Sequence, residues 1–350
     1  MGTRIRLLGT SCGMALALSA QLASAQIIVT PTAPPNQNPN NPAAVEQASI
    51  GQITEMHQRA QASQISGAIS DHIGDVAERA NHVREHDGHA PGGINAWLTS
   101  GNTSTHATDD GGVYHNDTQN VLIGADVMPF DNTILGLAVG IDNSSAKLAS
   151  ANGTLSSVGV SVTPYAALIL GKHFTADVQI TAAHDDGKVA QNLTPIPGAG
   201  NYGAWRYVGS ANITGHTEFR DISLKLGLGY NFAEADAAGF TDTVSLKVPR
   251  TIKRLQMVKL SGEAAYNVGG AFEPFITVEA EQILSNGGNR TFLPGDLITP
   301  LRIEKTGVMA GGGVRYLIAQ KVLFSLSGAA EVNRAKETQW VVDGNFQVTF

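Results

Sequence analysis

The sequence predicts an all-β transmembrane fold, a 12-stranded antiparallel β-barrel preceded by an α-helical segment. Three observations predict it. The apolar period changes from 3.6 to 2 near residue 94 and stays at 2 to the end. The alternating runs are about 10–16 residues long, against about 5–6 for an ordinary strand and 9–11 for a tilted membrane strand. The connections between runs are long and short by turns. Composition agrees: charged residues make up 15% of the 350, against about 25% in soluble proteins, and 39 residues are Gly.

Other classes are excluded. No apolar stretch of about 18 residues lies beyond the N-terminus, so a helical membrane bundle does not fit. A net charge of −7 argues against a nucleic-acid partner. The single cysteine rules out an intrachain disulfide framework and a multi-cysteine metal cluster.

Residues 1–25 read as a signal peptide. Arg4 and Arg6 supply the positive start, residues 7–20 the apolar stretch, and Ala23-Ser24-Ala25 the small-residue cleavage pattern, with the cut before Gln26. Cys12 lies before that cut, and Gly9-Thr10-Ser11 is a poor lipidation signal, so the expected mature chain contains no cysteine. Residues 26–42 are dense in Pro and Asn without a period, which makes a flexible spacer. Residues 43–90 read as a helical linker. Within them Ile65, Ile69, Ile73, Val76, Ala80 and Val83 share one helix face, separated by many small residues. A continuous helix over 43–86 would be about 66 Å long, longer than a bilayer is thick, so a break is expected at Gly51 or Gly67.

Residues 91–350 form the barrel. In 222–232, Ile222, Leu224, Leu226, Leu228, Tyr230 and Phe232 occupy one parity, while Ser223, Lys225, Gly227, Gly229 and Asn231 occupy the other. That is a strand. The same split marks 133–142, 157–170, 174–183, 205–214, 258–268, 306–316 and 322–333; weaker runs at 94–102, 118–128, 272–284 and 338–350 complete twelve. Long connections are expected at 103–117, 144–153, 185–201, 233–250 and 286–302. Short ones are expected at 129–132, 171–173, 214–216, 269–270 and 319–320, and only the last hairpin, at 334–337, departs from the alternation. Both barrel ends then lie on the short-turn, periplasmic side.

A soluble sandwich also alternates, but its polar face is not so rich in Gly, Ser, Thr and Asn, which suit a wet lumen. Closure satisfies every backbone group in lipid because it leaves no sheet edge. Trp205, Tyr207, Tyr230, Phe232, Phe272, Tyr316, Trp340, Phe346 and Phe350 sit near strand ends, where interfacial girdles belong.

From Trp97 to Phe350 the chain resembles the C-terminal translocator domain of autotransporters of Gram-negative outer membranes. The resemblance rests on a Trp-led first strand after a helical segment, and on Gly-punctuated strands such as Val121-Leu122-Ile123-Gly124-Ala125-Asp126 and Leu135-Gly136-Leu137-Ala138-Val139-Gly140. It also rests on the terminal pattern Phe346-Gln347-Val348-Thr349-Phe350.

The family implies that the helix threads the lumen, that a passenger emerges outside, and that Phe346, Val348 and Phe350 form the signal read by the barrel-assembly machinery. Periplasmic chaperones are implied as further partners alongside the outer-membrane lipid bilayer. A 12-stranded lumen is of intermediate width and fits a helix with small side chains. Lumen acids, Asp126, Asp177 and Glu263 among them with Asp142, Glu279 and Glu281, are expected to pair with Arg59, Arg79 and Arg84 of the helix. Some family members cleave their passenger at an Asn-Asn pair in this helix; Asn81 stands alone beside His82 here, so self-cleavage is not expected. The 68 or so residues between the cut and the first strand leave room for only a minimal passenger or none.

Candidate chemistry is thin. His82 and His86 share a helix face at a metal-binding spacing, with Glu78 and Glu85 nearby but no convincing third ligand. His106 with Asp109-Asp110, and His184 with Asp185-Asp186, place acids and histidines in expected loops, where acid–base chemistry is conceivable but ordinary rim polarity explains them. Gly311-Gly312-Gly313 lies inside a strand with no helix after it, so it is not a phosphate loop. No catalytic residue, metal site or cofactor is assigned. The expected function is an autotransporter-type outer-membrane translocator with a minimal or absent passenger, not an enzyme. The alternatives are a passive channel or structural barrel, and an adhesin acting through its extracellular loops.

Overall fold

A computed structural model describes residues 42–87, 93–109, 112–148, 153–191, 198–243, 247–268, 271–288, 305–318, 321–334 and 337–350. The expected signal peptide with Ala23, Ala25 and Gln26, and nearly all of the expected spacer, lie outside the described residues. One helix, α1 (Pro42–Asp87), precedes the strands. These are β1 (Ile94–Asp109), β2 (Gly112–Phe130), β3 (Thr133–Leu148), β4 (Gly153–Leu170), β5 (Phe174–Gln191), β6 (Gly198–Phe219) and β7 (Ile222–Ala237). A two-residue hairpin follows, β8 (Phe240–Thr241) with β9 (Lys247–Val248). Then come β10 (Thr251–Tyr266), β11 (Phe272–Gly288), β12 (Thr306–Ile318), β13 (Val322–Glu331) and β14 (Glu337–Thr349).

All strands but β8 and β9 form one closed antiparallel barrel of twelve, each paired to its chain neighbour, with β1 and β14 sealing the ring. The seam runs from Asn95 opposite Thr349 to Ala107 opposite Glu337.

The alternation read from sequence is the alternation of faces. Along β4 every second residue is buried: Ser157, Ser161 and Thr163 point inward while Val158, Val160 and Val162 are exposed on the outer wall. Leu135, Leu137, Val139 and Ile141 of β3 and Leu224, Leu226 and Leu228 of β7 continue that outer apolar band. Two tiers of exposed aromatics flank it. Phe130, Phe174, Phe219, Tyr266, Phe272 and Tyr316 lie toward the short turns; Trp205, Tyr207 and Trp340 lie toward the opposite rim. Of these, Phe130, Phe174, Phe219 and Tyr266 are additions to the girdle expected from sequence. An arginine on the outer face should be costly. Val139→Arg is expected to destabilise the barrel by about 2–4 kcal/mol, measured by denaturant titration of folding into lipid vesicles; a cost near zero would mean that this wall does not meet lipid.

Three expectations are corrected. Much of the supposed long loops is strand. β1 and β2 pair as far as Asp109 opposite Gly112, and β5 and β6 as far as Gln191 opposite Gly198. Beyond the apolar band both faces are polar, so the ladder continues after the hydrophobic period that signals it has ended. The turn placed at 214–216 falls instead after Phe219, with Arg220 in the left-handed region at φ 57°. Finally, α1 runs unbroken through Gly51 and Gly67. A mid-helix glycine costs about 1 kcal/mol, and enclosure by the barrel outweighs it. At 1.5 Å per residue α1 is about 69 Å long; its part from His57 to Ala80, about 36 Å, is the stretch the wall surrounds.

The direction of α1 follows from its contacts. His57 and Arg59 lie beside Asp142, Glu281 and Glu337, near the rim opposite the short turns. Asp75 lies beside Lys225, just above the turn at 220–221. The helix therefore enters at the loop rim and leaves at the turn rim, where the chain begins β1.

Candidate functional site

The lumen is occupied by α1, so the candidate site is the surface shared by the helix and the inner wall. The helix is held off-centre. Ile65, Ile69, Ile73 and Val76, part of the apolar stripe read from sequence, pack on Trp97, Leu122, Met128, Ile134, Tyr165 and Ile169 of β1 to β4. Ala62 joins a smaller cluster with Val208, Leu255, Met257 and Ile283. Around these apolar contacts lie three tiers of polar ones.

At the loop rim Arg59 bridges Glu281 and Glu337. Arg334, also buried, joins the same acids, at 2.6 Å from Glu281 and 3.3 Å from Glu337, and Glu331 at 3.1 Å. Across the lumen the guanidinium of Arg206 donates to Asp142 at 2.8 Å and to Asp185, and His57 lies 3.5 Å from Asp142. These buried charges are tolerated because each cation meets more than one carboxylate.

In the middle tier Ser70 donates to Asp177 at 3.0 Å, and Asn212 donates to both Asp177 at 2.7 Å and Ser70 at 2.9 Å. Gln179 donates to the Ser66 carbonyl at 3.2 Å. Lys259 reaches Ser63 and Glu279, each at 2.9 Å.

The lowest tier centres on His72, fully buried. Its Nε2 lies 2.5 Å from Asp126, which also accepts from Asn95 at 2.7 Å and from the Tyr165 hydroxyl at 3.0 Å. The Trp97 indole N–H donates to the Tyr165 oxygen at 2.8 Å, and the His72 ring stacks on Trp97 with centroids 5.0 Å apart. Two glycines make room: a Cβ at Gly124 would overlap the Trp97 indole, and one at Gly136 the Tyr165 ring. Those are the Gly-punctuated strands that carried the family resemblance. Beside this knot Lys225 meets Asp75 at 3.1 Å and Glu78 at 3.3 Å, and Arg315 meets Glu263 at 2.5 Å and Glu273 at 2.9 Å.

The residues expected to pair are thus distributed differently from the expectation. Arg59 reaches barrel carboxylates. Arg79 donates instead to the Asp75 carbonyl of its own helix, at 3.2 Å. Arg84 belongs to α1, but its side chain is outside the described ones. Asp126 is met by His72, Asp177 by Ser70, and Glu263 by wall cations, so the helix approaches these acids through His and Ser more than through Arg. Sequence reasoning missed His72, Tyr165, Arg206, Arg315 and Arg334. Arg206 and Arg315 carry a usable signal, since they stand on the lumen parity of otherwise apolar strands.

The other candidates separate. Strand alternation turns Asp185 inward to Arg206 and leaves His184 outside, against the Trp205 ring at 4.8 Å and 3.8 Å from Asp186. His106 also faces outward, 6.3 Å from the His115 ring; the side chain of Asp109 and all of Asp110 lie outside the description, as do the side chains of His82 and His86. Among the described residues no group of three or more His, Cys, Asp or Glu is placed to hold a metal ion. Gly311, Gly312 and Gly313 stand where β12 passes closely between β11 and β13, and a Cβ on any of them would crowd a neighbouring carbonyl. Phe346 and Val348 lie in β14 opposite Leu98 and Ala96, and Phe350 is exposed beyond the seam.

Comparison with known proteins follows from this geometry. The Autotransporter beta-domain family matches residues 96–329. No curated protein matches the chain. Among solved structures, the translocator domain of autotransporter NalP from Neisseria meningitidis is similar with a TM-score of 0.62 at 11% identity, covering 82% of this chain and 98% of that one. The beta domain of the Bordetella autotransporter BrkA gives 0.59 at 12%, covering 73% and 99%. The transport unit of AIDA-I from Escherichia coli gives 0.56 at 13%, covering 81% and 98%. At these identities the likeness shows the fold, and the family match adds descent. The chain belongs to the autotransporter β-domain family, and it is an outer-membrane barrel of the translocator type with its own helix through the lumen.

Proposed function

We propose that this barrel carries the segment ahead of α1, residues 26–42, to the cell exterior as a minimal passenger, and that residues 43–90 remain as linker and plug. The observation that carries this reading is the direction of α1: its N-terminal part emerges at the loop rim, while both barrel ends lie at the turn rim. Removal of residues 1–25 between Ala25 and Gln26 precedes assembly. The terminal pattern of Phe346, Val348 and Phe350 addresses the chain to the barrel-assembly machinery, with periplasmic chaperones protecting it on the way.

In this reading the polar tiers are a clamp. Arg59, Asp126 and Asp177 hold the helix, while Glu263 organises Lys225 and Arg315 beneath it. Arg79 serves the turn-rim end of the helix. The role is non-enzymatic: Asp126, Asp142, Asp177, Glu263, Glu281 and Glu337 are engaged by the helix or by wall cations.

The cysteine-free mature chain makes the test direct. Thr32→Cys is expected to react with a membrane-impermeant maleimide on intact cells, because the spacer faces the medium. Labelling only after the outer membrane is broken would place residue 32 on the periplasmic side and overturn the reading.

A further inference from the structure

The lumen is not filled evenly. Because the isoleucine stripe pins α1 toward β1 to β4, a cavity of about 280 Å³ remains beside it, lined by β6, β7 and β10 to β14 and reaching Thr99 and Thr103 of β1 and Asn120 of β2. The cavity follows the helix from Ala60 to Asp75, about 22 Å at 1.5 Å per residue. That is close to the roughly 25 Å height of the apolar band in barrels of this class. The helix presents Ser63, Gly67, Ser70 and Gly74 to it, and a Cβ added at Gly67 or Gly74 would meet nothing within 4 Å. A space this size with polar walls holds water.

Its charges do not balance. Three cations line it, and each is already engaged: Lys225 with Asp75, Lys259 with Glu279, Arg315 with Glu263. Two further carboxylates, Asp71 on α1 and Asp343 on β14, line the same cavity. Neither has a hydrogen-bond or ion-pair partner among the described residues. Asp343 is repelled by Asp71 and Glu279 and attracted by Lys259, and Asp71 is repelled by Glu263 and Asp75 and attracted by Arg315 and Lys225, so the lining carries more carboxylates than cations. In a medium less polarisable than bulk water, a surplus of carboxylates over cations draws in mobile cations and turns anions away.

We propose that this cavity is a hydrated, cation-selective pathway past the seated helix, with Asp71 and Asp343 as its selectivity residues. The barrel then passes small monovalent cations without releasing its plug, a property separate from export. The ion-pair clusters around Arg59 and Arg334 at one end, and around Lys225 and Arg315 at the other, narrow its two mouths.

The test is planar-bilayer recording of the mature full-length protein across a KCl gradient. The intact barrel is expected to show a small conductance with a reversal potential near that of K⁺. In the isosteric double variant Asp71→Asn/Asp343→Asn, the K⁺ to Cl⁻ permeability ratio should fall several-fold toward unity. Gly67→Leu, which fills the cavity from the helix side, should lower the conductance. Heat-dependent mobility on gels verifies that each variant forms a barrel, and either single Asp→Asn variant replaces the double if that one does not. Three results would each overturn the proposal: an intact barrel that does not conduct, one that prefers Cl⁻ or neither ion, or an Asn variant of unchanged selectivity. Any of them, found with Thr32→Cys still labelled from outside, leaves the export reading in place.

Discussion

Deleting residues 43–86 is expected to turn a narrow, low-conductance barrel into a wide pore with several-fold higher single-channel conductance. A 12-stranded barrel has a lumen between the filled interior of eight strands and the open channel of sixteen, and a helix 10–12 Å across occupies most of it. Arg59→Glu should approach the same result from one position. It places a carboxylate beside Glu281 and Glu337 in a buried cluster, and like charges there favour expulsion of the helix. Arg79→Glu should do less, since among the described residues Arg79 donates its hydrogen bond to the Asp75 carbonyl of its own helix and is bridged to no wall carboxylate. Equal conductance in the deletion variant and the intact protein would show that α1 does not block the pore. Equal effects of the two charge reversals would show that the loop-rim cluster is not what seats it.

The second large effect is expected at Asp126. Asp126→Ala leaves His72, Asn95 and the Tyr165 hydroxyl without their shared acceptor in a site closed to water. Removing one partner of such a buried arrangement costs about 3–5 kcal/mol. The loss should appear as a lower temperature for conversion of the folded, fast-migrating form to the unfolded form on gels. Asp126→Asn keeps one acceptor oxygen, which serves either Asn95 or the Tyr165 and His72 pair but not both, and should cost less than alanine. If alanine and asparagine behave alike, the knot contributes little and the apolar stripe alone holds the helix.

The barrel was legible in the sequence because lipid imposes its period on every strand that crosses it. Val158, Val160 and Val162 announce β4 without reference to any other part of the chain. Where lipid ends, so does that signal. The paired extensions of β1 and β2 carry Thr, His and Asn on both faces, those of β5 and β6 are rich in Gly, Asp and Ala, and all read as loop. The helix was legible from its isoleucines, but its continuity through Gly67 was not, since that depends on a wall hundreds of residues away in the chain. Half of the site could be anticipated: lumen parity identifies Asp126, Asp177 and Glu263 as inward-facing. Their partners could not, because parity gives the face and not the height at which a helix residue stops. His72 meets Asp126 only because the stripe at Ile69, Ile73 and Val76 fixes both the rotation and the depth of α1.

The ladder that joins β1 to β14 unites the earliest strand of the ring with the last, from Asn95–Thr349 to Ala107–Glu337. A nascent polypeptide stopped anywhere short of that final stretch is a curled ribbon with two raw margins, which hydrocarbon does not tolerate. Completion of synthesis is therefore the licence for insertion, and whatever the helix tows must already be threaded, or small enough to follow, when the two margins meet.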